Sequence, residues 1–158
     1  MVTKPNKPQE VRVIATNRKA SHDYVIHERI EAGLVLVGSE VKSLRDSKVV
    51  ISDGWVDIRK GQGYLHKIQI NEYAQANRWQ HDIERVRKLL LHRHELDKLE
   101  KKTTVKGYTL IPLALYFKGS VVKVELGLVT NKKQHDKRQA SKEADDKREM
   151  DRAVKRAR

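Results

Sequence analysis

The chain has 158 residues and no cysteine, and it carries 34 Lys and Arg against 21 Asp and Glu, a formal net charge of +13. That length suits one domain with a real core and a short appendage, and the charge draws it to polyanions through counterion release, which makes nucleic acid the leading partner class. The missing cysteines exclude disulfide frameworks, thiolate zinc sites and cysteine nucleophiles, while no run approaches the roughly 18 apolar residues of a membrane span.

Residues 1–10 hold Pro5 and Pro8 and no apolar pattern, the character of a flexible arm without a secretory stretch. The expectation is a cytoplasmic protein with no membrane partner. Structure is expected to begin at Val11 to Ala15. Next, Asn17-Arg18-Lys19-Ala20-Ser21-His22-Asp23-Tyr24 groups cations, polar side chains, an imidazole and an aromatic ahead of a strand. The set suits phosphate contacts with base stacking, and a basic loop with Tyr24 in the core reads equally well. The run DYVIHERIEAGLVLVG reads as two adjacent strands, broken at Glu31-Ala32-Gly33 and resuming over Leu34 to Val37. Glu31 is then either a turn carboxylate or a polar contact to a base edge. Ser39 to Arg45 reads as a short helix with Lys42 and Arg45 displaced from Val41 and Leu44.

The stretch WVDIRKGQGYLHKIQI is a hairpin turning at Lys60-Gly61-Gln62-Gly63. From Asp82 to about Lys102 the spacing of Val86, Leu89, Leu90 and Leu96 predicts a helix, with Arg85, Arg87, Lys88 and Arg93 on its other faces. A second hairpin runs from Tyr108 to Phe117, turns at Lys118-Gly119, and returns with Val122, Val124, Leu126 and Leu128 facing inward and Lys123 and Glu125 outward. Pro112 fits a bulge or an edge. Trp55 and Trp79 read as packing residues. Six or more short strands with two or three helices favour a mainly β fold, a small antiparallel barrel of the oligonucleotide-binding kind. The last 29 residues hold 11 Lys and Arg, 6 Asp and Glu and no aromatic, so they are expected to be disordered when free and helical against an anionic surface.

The histidines do not make a catalytic pattern. His92 and His94 are two apart on the expected helix and point away from each other, whereas helical metal pairs need i, i+4. Acid and base partners for a ribonuclease could be drawn from His22, His27 or His66, whose convergence spacing does not reveal. There is no phosphate-cradling loop and no nucleophile elbow. Neither an enzyme nor a metal or cofactor site is expected.

His22-Asp23-Tyr24, Glu31-Ala32-Gly33-Leu34, Gly38-Ser39-Glu40-Val41-Lys42-Ser43-Leu44-Arg45, Arg87-Lys88-Leu89-Leu90-Leu91, Leu115-Tyr116-Phe117-Lys118 and Lys132-Lys133-Gln134-His135-Asp136-Lys137-Arg138 occur in this order. Together they resemble the SsrA-binding protein (small protein B) family, over the chain from about Val11 onward. The resemblance implies an oligonucleotide-binding barrel over 11–129, an arm over 1–10 and a basic tail over 130–158 that is helical on the ribosome. It implies binding to the tRNA-like domain of transfer-messenger RNA, entry of the complex into stalled ribosomes, and tagging of incomplete chains by trans-translation, without a small-molecule substrate. By position it puts Asn17, Lys19, His22, Glu31, Lys42, Arg45, Arg87, Lys88, Leu90, Lys123 and Asn131 on the RNA-binding face. In the tail it puts Lys132, Lys133, His135, Asp136, Lys137 and Arg138 at the decoding centre and mRNA channel, with His135 stacked on a ribosomal base. Asn131 stands where the family usually has glycine, and Ile83 where a helix-starting proline is common. The competing readings are a general single-strand RNA chaperone on the same fold and a small ribonuclease.

Overall fold

The computed structural model describes residues 8–74 and 80–157. Strand β1 (Val11–Thr16) leads through helix α1 (Arg18–Asp23) into the long strand β2 (Tyr24–Leu34), followed by helix α2 (Gly38–Arg45). Then come β3 (Val49–Val50), β4 (Trp55–Arg59), β5 (Gln62–His66), β6 (Gln69–Ile70) and β7 (Arg87–Leu90). Helix α3 (Arg93–Thr103), strands β8 (Tyr108–Lys118) and β9 (Val121–Asn131), and helix α4 (Gln134–Arg156) complete the chain. Seven strands form one antiparallel sheet in the order β1-β8-β4-β5-β7-β2-β9, and β9 pairs a second time, with β8. β3 and β6 form a separate two-stranded ladder. The fold is mainly β, a large antiparallel sheet with a few helices.

Both hairpins follow from local sequence. Lys60 and Gly61 each adopt positive φ, 49° and 69°, and close a two-residue turn between Arg59 and Gln62, the geometry that matches strand twist. β8 turns into β9 through Gly119 and Ser120, one residue later than the sequence suggests. Pro112 sits, as expected, at an irregularity: the β8–β9 register shifts between Pro112 and Ala114. Alternation buries Val122, Val124, Leu126 and Leu128 of β9 against Leu44, Leu65, Ile68, Leu99 and Leu110 in the main core. Each fully buried side chain of this size contributes about 1.5–3 kcal/mol. A second, smaller cluster of Ala20, Ile111, Leu113 and Val129 holds α1 on the sheet, with Tyr24 packed beside it.

Three expectations need correction. β2 does not break at Glu31-Ala32-Gly33. It runs through, with Glu31, Ala32 and Gly33 in register with Glu125, Val124 and Lys123 of β9. Gly33 is there for a close approach, since a Cβ would lie 3.1 Å from the Cβ of Leu90 on the neighbouring strand.

The expected helix from Asp82 to Lys102 is instead a turn, strand β7 and the shorter α3. Over four residues, Arg87-Lys88-Leu89-Leu90, burial alternates, and β7 fills the gap between β5 and β2, pairing with both. Ladder bonds on two sides outweigh a local helical pattern. Helix α3 starts at Arg93, where the N–H of His92 donates to Glu95 Oε2 at 3.0 Å, half of the capping-box signature. With His92 outside the helix, its ring stacks on His94, centroids 5.6 Å apart, rather than pointing away.

The third concerns the C-terminal segment, which the sequence leads one to expect disordered when free. In this structure of the chain alone it is helical, the 23-residue α4. Asp145 pairs with Arg148 at 3.8 Å, Gln139 Nε2 donates to Glu143 Oε1 at 3.4 Å, and Lys155 and Arg156 lie at the negative end of the macrodipole. Its apolar Met150 and Val154 are exposed. Among the described residues, its hydrogen bonds to the body lie in its first part: the Lys132 N–H donates to Asp23 O (3.0 Å), Lys132 Nζ to Ser21 O (2.7 Å), and Ser141 Oγ meets His22 Nε2 at 2.8 Å.

Gly54 precedes β4 where the chain passes Pro112 and Ile68. A Cβ there would lie 2.6 Å from Pro112 Cγ and 2.8 Å from Ile68 Cγ2. Gly54→Ala is expected to cost about 1–3 kcal/mol by overpacking, read as a lower urea midpoint with an unchanged slope.

Candidate nucleic-acid interface

The pairing of β7 with β2, and of β2 with β9, brings together residues far apart in sequence. Gly33 is opposite both Leu90 and Lys123, and with no Cβ between them an open cleft forms, lined by Arg29, Glu31, Lys88, Leu90, His92 and Lys123 among others. Leu90 is 55% exposed in this charged setting. Glu31 accepts a hydrogen bond from the Tyr116 hydroxyl and pairs with Lys118 Nζ at 3.3 Å. The Tyr116 bond above all, then the lysine, overcomes partial burial and holds the carboxyl below the usual range. Across the ladder Arg29 Nη1 pairs with Glu125 Oε1 at 2.7 Å. The cleft therefore offers a fixed, ionised acceptor, two lysines and one exposed apolar side chain. Tyr116, Lys118 and Arg29 escaped the sequence reading; the signal for them was strand alternation, which puts Arg29 two residues before Glu31 on β2 and Tyr116 and Lys118 two apart on β8.

A second group lies at α1. Lys19 is exposed and lines a polar cleft with Asn17, Tyr24, Asp53, Trp55 and Lys67. Asn17 itself is buried: its Nδ2 donates to Pro112 O at 3.1 Å, while its Oδ1 finds no partner among the described residues. His22 is half exposed, with Nδ1 on Asp23 Oδ1 at 2.9 Å and Nε2 on Ser141. Lys42 and Arg45 are exposed on α2; Lys42 Nζ lies 5.7 Å over the Tyr73 ring, and the Arg45 carbonyl accepts from Arg12 Nη2 at 2.8 Å.

Arg87 does not belong to this surface. It is fully buried, with Nε on Glu40 Oε2 at 2.5 Å and Nη1 on Ile68 O at 3.0 Å. A guanidinium enclosed in this way has no path to a phosphate; its work is to lock α2 to β7. Glu40 is equally buried and also pairs with Arg85 Nη2 at 2.5 Å. Burial opposes its charge, but the Val37 N–H and the two guanidinium groups outweigh that and hold the carboxyl below its ordinary range. Trp55, expected in packing, is 38% exposed, and Trp79 lies outside the described residues.

At the tail junction Asn131 is the exposed last residue of β9, opposite Tyr24, and does not adopt positive φ. Lys132 is half buried by its bonds to α1, while Lys133 and Arg138 are exposed. The side chains of His135, Asp136 and Lys137 lie outside the described residues.

The family model described as SmpB protein matches residues 14–156. The chain belongs to the SmpB family. Among relatives, the SsrA-binding protein of Geobacter sulfurreducens is 51% identical over 144 residues, covering 91% of this chain and 94% of that protein. That of Geobacillus thermodenitrificans is 49% identical over 146 residues, covering 92% and 94%. A solved structure from work described as "tmRNA-SmpB: a journey to the center of the bacterial ribosome" matches with a TM-score of 0.66 at 42% identity, covering 80% of this chain and 93% of that one. SmpB membership explains why the six quoted blocks stand in one order. Among the described residues, no helix is long and apolar enough to cross a membrane.

Proposed function

We propose that this SmpB-family chain is the RNA-binding component of trans-translation. It binds the tRNA-like domain of transfer-messenger RNA, enters stalled ribosomes with it in the cytoplasm, and allows incomplete nascent chains to be tagged and the ribosome freed, making no bond itself. The observation that carries this reading is the convergence of Glu31, Lys88, Leu90 and Lys123 in one open cleft. There Glu31 accepts from the amino or imino edge of a base, the lysines neutralise phosphates, and Leu90 packs against a base or ribose. Lys19, His22, Lys42 and Arg45 extend the RNA-facing surface, with Asn17 and Asn131 at its edges and Arg87 acting only by holding α2 in place.

The double pairing of β9 supports reading the sheet as an oligonucleotide-binding barrel over 11–129, with an arm over 1–10 and a tail over 130–158. In the tail, Lys132, Lys133, His135, Asp136, Lys137 and Arg138 act in the decoding centre and mRNA channel, where His135 stacks on a ribosomal base. Competition between transfer-messenger RNA and an ordinary tRNA tests the reading. Strong preference for transfer-messenger RNA at matched salt is expected; equal affinity would leave only a general RNA binder.

A further inference from the structure

Between the Glu31 cleft and α1 lies a sheet face of which the proposed function uses Lys88 alone. β4, β5 and β7 are neighbours, with Trp55 opposite His66, Asp57 opposite Tyr64, and Tyr64 opposite Lys88. Alternation buries Val56, Leu65 and Leu89 and turns Trp55, Tyr64, His66 and Lys88 to the other face. The Trp55 and His66 rings stack with centroids 4.2 Å apart and planes 7° from parallel. His66 is the inner ring, its side chain 19% exposed. An indole held flat by a second ring and still 38% exposed is preorganised for another flat group.

The surroundings say which kind. Arg59 and Lys60 are exposed at the turn end of the same hairpin, at the opposite end of β4 from Trp55, and Lys88 is exposed on β7, while the Asp57 carboxylate is taken up by Arg59. The cleft at Trp55 itself mixes Lys19 and Lys67 with Asp53 and Glu84. One exposed indole among charged side chains is not the contiguous apolar patch that a protein partner uses; an aromatic platform with cations further along the same strands fits single-stranded nucleic acid. The face is also continuous with the cleft already described. Gln62 lines both that cleft and the groove under Arg59, Tyr64 and His66, and accepts from the Tyr64 hydroxyl at 2.8 Å. At the other end Trp55 lines the cleft of Asn17 and Lys19.

We propose that the outer face of β4, β5 and β7 is an RNA-contacting surface, where an unpaired base of the RNA bound in the Glu31 cleft stacks on Trp55 and Arg59, Lys60 and Lys88 neutralise the flanking phosphates. This rests on the proposed function for the identity of that RNA. With Trp79→Phe in the full chain, Trp55 is the remaining indole. Transfer-messenger RNA is expected to quench its fluorescence, and a short oligoadenylate to do so at higher concentration. Trp55→Ala should weaken binding of transfer-messenger RNA about 5- to 150-fold, the range for one stacked base, and Trp55→Phe much less, with thermal melts checking that each variant folds. Lys60→Ala should lower the slope of log affinity against log salt by about one. Unchanged emission at RNA saturation, or unchanged affinity in Trp55→Ala, overturns the proposal. Equal wild-type affinity for transfer-messenger RNA and tRNA instead overturns the proposed function, and quenching by oligoadenylate would still support this surface.

Discussion

Glu40→Ala is expected to lower folding stability by about 3–5 kcal/mol, because it leaves the guanidinium of Arg87 charged, fully buried and without its carboxylate. Arginine does not escape by losing its proton. The Glu40 side chain also accepts from the Val37 N–H at 3.0 Å at the start of α2, so the variant loses a helix-end contact as well. Urea unfolding measures the loss, and a change under about 1 kcal/mol would mean that Arg87 finds other partners. As a control, Lys98→Ala at the exposed pair with Glu28 should cost no more than about 1 kcal/mol. The network joins α2 to β7, so the same variant should weaken RNA binding without touching an RNA-facing side chain.

The pH dependence follows in sign. Glu40 has a folded value below its unfolded one, so its contribution to stability is fully present above the ordinary carboxylate range and is lost as pH falls through the folded value. Glu28, held down chiefly by the Lys102 and Lys98 hydrogen bonds, and Glu31 shift the same way. Wild type should therefore lose stability steeply with acid, and Glu40→Ala less steeply, because one of the three depressed groups is gone.

Truncation after Lys133 should abolish tagging on stalled ribosomes while leaving transfer-messenger RNA binding largely intact. That cut removes α4 and spares β9, whose last pair is Asn131 with Tyr24. The residues that line the Glu31 cleft all precede it. Among the described residues, the hydrogen bond lost at the body is that of Ser141 to His22, an exposed bond of modest worth. Tagging activity in the truncated protein, measured on ribosomes stalled without a stop codon, would sink the division of labour between body and tail.

The hairpins were legible because their information is local: alternation over a few residues, with turn residues between, sets pairing and face together. Arg87-Lys88-Leu89-Leu90 was not, since four residues satisfy a strand period and part of a helical one equally well. The decision came from β5 and β2, which offered ladder bonds on both sides. Glu31 misled for a related reason: Ala-Gly after a carboxylate looks like a turn, yet Gly33 is there to let Leu90 approach. Likewise Arg87 reads as one more surface cation until its partner is known, and Glu40 lies 47 positions away.

The sequence by itself determined the mainly β character, the two hairpins, the basic charge and the order of family blocks, all properties of neighbouring residues or of composition. Only the tertiary structure decided that Glu31, Lys88, Leu90 and Lys123 share a cleft, that Arg87 is sealed inside, and that Trp55 lies open on His66. Those outcomes depend on which strands become neighbours, and strand neighbours are chosen by long-range backbone pairing and core packing, which leave no short-range trace in the chain.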